Sequence, residues 1–157
     1  MKCLESLIVA FSMYSKIPMP QITWTKENMK NTLCYFPLIG AVIGALLWLW
    51  YWLCGIAGFG VMLQAAVAVL IPVLVTGGIH LDGFLDTSDA LSSWQTTERR
   101  LEILKDPHTG AFAIIGAVMY YLLFFGFMTE IWDIKATIAV SVGFVLSRSL
   151  SGLAIGI

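Results

Sequence analysis

The sequence is short of charge. Asp, Glu, Lys and Arg make up 12% of its 157 residues, about half the share of an ordinary soluble domain. Between Lys30 and His80 lie 49 consecutive residues without a single Asp, Glu, Lys, Arg or His. A run of that length excludes a water-soluble globule, since about 20 apolar residues already cross the hydrocarbon of a bilayer. An excess of charge of one sign is also missing: nine basic residues face ten acidic ones, for a net charge of -1, so nucleic acid is not an expected partner. Cysteine is scarce and badly spaced for chemistry. Cys3, Cys34 and Cys54 form no CxxC or Cys/His pattern, which argues against a thiol-bound metal and leaves them as small buried hydrophobes. The apolar stretch nearest the N-terminus lacks the cationic start and small-residue cleavage site of a signal peptide.

What remains is apolar, at 59% hydrophobic residues and a mean hydropathy of +0.85, which rules out disorder. The fold class is therefore all-α, a polytopic helical membrane bundle in a single membrane domain over 1–157. The uncharged run would be about 74 Å long as one helix, over twice the roughly 30 Å core, so it must fold back. Gly55, Gly58 and Gly60 mark the turn. The pattern predicts spans at about 33–54, 57–77, 111–129 and 136–157. Leu4 to Tyr14 is too short to cross and reads as an interfacial or re-entrant helix. Gly40 and Gly44 form a GxxxG that predicts close helix packing.

Orientation follows the basic residues. Lys2, Lys16, Lys26 and Lys30 precede the first span, and Arg99, Arg100 and Lys105 lie between the second and third. By the positive-inside rule the N-terminus and the 80–110 loop are cytoplasmic, in a multi-pass protein of the cell (inner) membrane. The last span runs to Ile157 without polar punctuation, so a C-terminally truncated chain is expected. Arg148 sits about twelve residues into that span, where a charge is costly, and is expected to face a cavity or an anionic group, or else to snorkel to the cytoplasmic headgroups.

Six of the ten acids and both histidines fall within 80–108, which concentrates any chemistry there. At roughly 100° per residue, Asp82, Asp86 and Asp89 share a helical arc of about 60°. Two carboxylates about 6 Å apart repel by roughly 3 kcal/mol at an effective dielectric of 20. A divalent cation relieves that repulsion, and an all-oxygen, thiol-free set favours magnesium, Mg²⁺, or manganese. Residues 98–105 read as a short amphipathic helix whose Arg99, Arg100 and Lys105 can grip phosphate, as can Arg148, or serve equally as orientation determinants and lipid-headgroup contacts. His80 and Asp106 are candidates for general-base work.

With those residues in place, the chain resembles the cobalamin synthase family, the adenosylcobinamide-GDP ribazoletransferases. The resemblance runs from Lys16-Ile-Pro-Met-Pro20 through Phe36-Pro37-Leu38-Ile39-Gly40. It continues in Gly77-Gly78-Ile79-His80-Leu81-Asp82-Gly83-Phe84-Leu85-Asp86-Thr87-Ser88-Asp89-Ala90, then Arg100-Leu101-Glu102-Ile103-Leu104-Lys105-Asp106, and ends at Gly110-Ala111-Phe112. Ala113 departs from a frequent glycine, and family members usually continue through further membrane helices after the region of Arg148. The resemblance implies an enzyme that joins α-ribazole, or its 5′-phosphate, to adenosylcobinamide-GDP. It would release GMP and use magnesium held by Asp82, Asp86 and Asp89. Whether such an enzyme works alone or as a homo-oligomer is open at this stage. Two other readings of the acidic stripe are a CDP-alcohol phosphotransferase, whose DxxDG followed by AR is missing here, and a transporter with an acidic cation site. A transporter would carry acids within a span and a repeat between halves.

Overall fold

The computed structural model describes residues 2–131 and 133–156. Among them there is no strand. The chain opens with α1 (Lys2–Tyr14) and a one-turn α2 (Lys26–Met29). Thr25 caps α2 with a reciprocal Asn28 box, in which the Thr25 amide donates to Asn28 Oδ1 at 2.8 Å. A 3₁₀ turn at Thr32–Tyr35 leads into α3 (Phe36–Ala57), with Pro37 in its first turn, where a missing N–H costs nothing. Gly58, at φ +68°, ends α3 in the left-handed conformation that glycine adopts without a Cβ penalty. The chain then reverses into α4 (Val61–Thr76), which places the turn where the glycines predict it, with Gly55 still inside α3.

At the end of α4 comes the feature that sets up everything after it. Gly77 and Gly78 are both left-handed, at φ +64° and +82°, and α5 (Ile79–Ser92) departs at 95° to α4. The short α6 (Thr97–Ile103) follows, then α7 (Ala111–Thr129) and α8 (Ile134–Gly156). The expected span at 111–129 is α7 residue for residue; the expected 136–157 is α8, with Ile157 outside the described residues. Among the described residues three helical stretches are long and apolar enough to cross a membrane: 32–57, 111–129 and 134–154. The second expected span is shorter than its pattern suggests. The left-handed glycines stop α4 after 16 residues, about 24 Å of helix, and a fourth crossing needs α4 and the bent α5 together.

The core runs down α3. Phe36, Ile39, Ile43 and Leu47 are buried on one face, against Ala65, Ala68 and Val69 of α4. The adjoining seam on α3 is the predicted GxxxG contact. A Cβ added to Gly40 would lie 2.5 Å from the Phe144 carbonyl oxygen and one on Gly44 would lie 2.8 Å from Ser141 Cβ, so only glycine lets α3 and α8 approach this closely. Ser141 Oγ donates to the Gly44 carbonyl at 3.1 Å across the same seam. The helix α1, too short to cross, packs one face on the bundle: Val9 and Ala10 are fully buried and the Lys16 amide donates to the Val75 carbonyl at 2.7 Å. The expectation of three buried cysteines needs amending. Of the cysteines only Cys54 is buried; Cys3 and Cys34 sit on short terminal elements with an outer face and are exposed.

Candidate functional site

The helix α5 carries two faces with different fates. Asp82 and Asp86, one turn apart, are exposed. Asp82 stands in the first turn, where the helix dipole favours a carboxylate. Asp89 is half-buried and turns toward α7. Its Oδ1 accepts the Ala113 amide at 3.4 Å, and a Cβ on Gly110 would run into its carboxylate. Asp89 thus caps an α7 N-terminus whose own N-cap, Gly110, has no side chain to offer. Among the described residues no three His, Cys, Asp or Glu side chains are gathered so as to hold one metal ion. The carboxylate pair Asp82/Asp86 nevertheless suits magnesium, which is commonly held by one or two carboxylates, with water and substrate phosphate filling the rest.

The other face of α5 closes a cleft of about 510 Å³ together with α4, α7 and α8. His80 and Phe84 line it from α5, Tyr120 from α7, and Phe144, Ser147 and Arg148 from α8. The His80 ring stacks on Phe36 with centroids 5.2 Å apart, and the Arg148 guanidinium carbon lies 5.8 Å from the centroid of that same ring. His80 Nδ1 and Arg148 Nε are buried without a hydrogen-bond partner. Arg148 therefore faces a cavity, one of the placements its depth in the span predicts. His80 and the three aspartates are not brought together: one helix separates them.

Comparison with known proteins gives this arrangement a context. A family model described as cobalamin-5-phosphate synthase matches residues 6–157. The chain belongs to that family. It is 52% identical over 155 residues to a Lachnoclostridium phytofermentans protein named adenosylcobinamide-GDP ribazoletransferase, a match covering 99% of this chain and 59% of the relative. Similarly named proteins of Desulfitobacterium hafniense and Clostridium botulinum are 38% and 37% identical, over 82% and 78% of this chain and 50% and 48% of their own length. The chain thus spans about half to three-fifths of the curated relatives it matches. No solved structure matches it.

Within this family member the basic candidates separate by what they already hold. Thr96 caps α6 by accepting the Arg99 amide at 3.4 Å. Arg99 is engaged one turn on, with Nη1 on Glu102 Oε2 at 2.5 Å. Arg100 is half-buried and its Nε has no partner among the described residues, while Lys105 is exposed. Asp106 is held locally: its Oδ1 accepts the His108 amide at 3.0 Å and lies 2.6 Å from His108 Nδ1. The amide first, then the imidazole, hold its carboxyl below the ordinary value of 3.8. Asp106 and His80 occupy different neighbourhoods. The aromatic members of the cleft, Phe84, Tyr120 and Phe144, are not legible from the sequence as site residues, because a ring in an apolar run carries no mark distinguishing a cleft wall from a core.

Proposed function

We propose that this chain carries the metal- and phosphate-handling region of a transferase that joins α-ribazole, or its 5′-phosphate, to adenosylcobinamide-GDP. GMP leaves, and adenosylcobalamin or its 5′-phosphate is formed. The observation that supports this most is the open carboxylate pair, Asp82 and Asp86, on the exposed face of a helix at an elbow of the bundle, in a chain of this family. Magnesium held there would supply charge neutralisation for the pyrophosphate oxygens. Arg100, with its unpartnered Nε, is the better placed of the two α6 arginines to steady the departing GMP phosphate, since Arg99 is paired with Glu102. Neither base candidate stands beside the carboxylate pair: His80 lines the cleft on the other face of α5, and the Asp106 carboxylate is engaged by His108, so no base is assigned to the transfer. The basic residues flanking the first span and in the 80–110 loop support a cytoplasmic position for the site.

The test is GMP release from adenosylcobinamide-GDP with ribazole supplied, in a full-length protein carrying this sequence, as a function of magnesium. Asp86→Asn keeps shape and removes charge; transfer should be lost by at least about 10²-fold. Near-normal turnover of Asp86→Asn at limiting magnesium overturns the reading and leaves the stripe a solvated face.

A further inference from the structure

The cleft behind α5 is not used by the carboxylate pair, and its chemistry points elsewhere. It is of a size that holds a small organic ligand, at about 510 Å³ against the roughly 300–1,000 Å³ of such sites. A whole corrinoid nucleotide is far larger than that. Its walls are mostly apolar and aromatic, yet they enclose an arginine with no carboxylate to answer it. No Asp or Glu lines the cleft, and the described ion pairs involve Arg99 and His108, not Arg148. Arg148 Nη1 reaches only Ser147 Oγ, at 3.5 Å. The guanidinium lies instead over the ring of Phe36, in the first turn of α3. Contact with the ring compensates part of the lost hydration; the buried Nε stays unsatisfied, and so does the charge.

We propose that this cleft is a second ligand site, taking a phosphate ester on an aromatic or apolar body. Arg148 grips the phosphate with its planar fork of donors. Phe84, Tyr120 and Phe144 pack the body, and His80 Nδ1 adds one polar contact. Two sources present this chemistry: a nucleotide acceptor such as α-ribazole 5′-phosphate, a source that rests on the reaction proposed above, and the headgroup of an anionic phospholipid. The site itself needs neither magnesium nor the aspartates.

The experiment uses this chain in nanodiscs with EDTA present, so that failure here is separate from failure of the metal reading. In one arm, phosphatidylcholine discs are titrated calorimetrically with α-ribazole 5′-phosphate and with α-ribazole. In the other, discs of mixed phosphatidylglycerol and phosphatidylcholine are followed by native mass spectrometry for retained lipid. At least one phosphate ester should bind, about tenfold or more tightly than its uncharged or zwitterionic counterpart, and Arg148→Gln should abolish the preference. Should Arg148→Gln fail to fold, Gly143→Phe decides. Gly143 lines the cleft and a Cβ there meets nothing within 4 Å, so the ring fills the space with the guanidinium retained, and it should block binding. Wild-type chain that binds neither ester, or binding that survives both substitutions, overturns the proposal and leaves the carboxylate reading untouched.

Discussion

The acidic face of α5 and its aromatic face are built to opposite rules. On the first, Asp82 and Asp86 are exposed and their carboxylates make no hydrogen bond among the described residues, so the fold does not depend on those side chains. On the second, His80 is stacked on Phe36, and Phe84 is 5.9 Å from the Tyr120 ring, so the fold closes through them. Like charges one turn apart cost stability in an empty site, while the stacked rings contribute to it. On the reading proposed above, the first face has its explanation outside the chain, in what it binds, while the packing of the second is explained largely within it. Asp89 stands at the boundary, sequence-matched to the acidic stripe yet engaged with the start of α7.

The comparison breaks most visibly at Phe36, which is 2% exposed and touches Tyr14, His80 and Arg148. Phe36→Ala should destabilise the protein toward the lower end of the roughly 3–5 kcal/mol seen for such truncations, because lipid offers the unfolded helix an apolar alternative. Loss of the folded fraction in a detergent denaturation series measures it. Asp86→Asn should do the reverse, holding or slightly raising the midpoint in that series while abolishing metal-dependent transfer. A fall in its midpoint comparable to that of Phe36→Ala would erase the distinction between the faces.

Neutralising the α6 arginines sharpens the acidic side. Arg100→Gln should lower GMP release by on the order of 10²-fold, about 3 kcal/mol, and Arg99→Gln by much less, in matched membrane preparations. Equal near-wild-type rates would reduce α6 to a topology signal. Gly77→Ala at the elbow and Gly58→Ala at the α3–α4 turn each place a Cβ at positive φ, a strain of about 1–2 kcal/mol. Only at Gly77 does the new carbon also meet a neighbour, the Lys16 side chain, so Gly77→Ala should be the more destabilising in the denaturation series. The smallest effect is one of pH. The Asp106 carboxyl is held below 3.8 by the His108 amide. Its contribution is thus fully present above that value and is lost as pH falls through the lowered one. A carboxyl carbon titration by NMR should show the midpoint below 3.8, and a midpoint at or above it would release Asp106 as a candidate base.

The sequence was a good guide where spacing alone decides structure. The hydropathy of 111–129 marks α7, Gly40 and Gly44 mark the α3–α8 seam, and the 100° rotation per residue puts Asp82 and Asp86 on one face. It was a poor guide wherever the outcome depends on a partner distant in the chain. Nothing near Asp89 announces that Gly110 leaves room for its carboxylate, and nothing near Arg148 announces Phe36. The shortness of Leu4–Tyr14 is legible; the burial of Val9 and Ala10 beneath the bundle is not, because period and length specify a helix and leave its neighbour unspecified.

The elbow has a consequence for where reactants can come from. A helix leaving α4 at 95° lies across the end of the bundle as a partition one helix thick, about 10–12 Å with its side chains. The carboxylates occupy one surface of that partition and the arginine cleft the other. Molecules of opposite solubility, one arriving from water and one held among apolar helices, can therefore be brought within a helix diameter of each other with neither passing through the hydrocarbon.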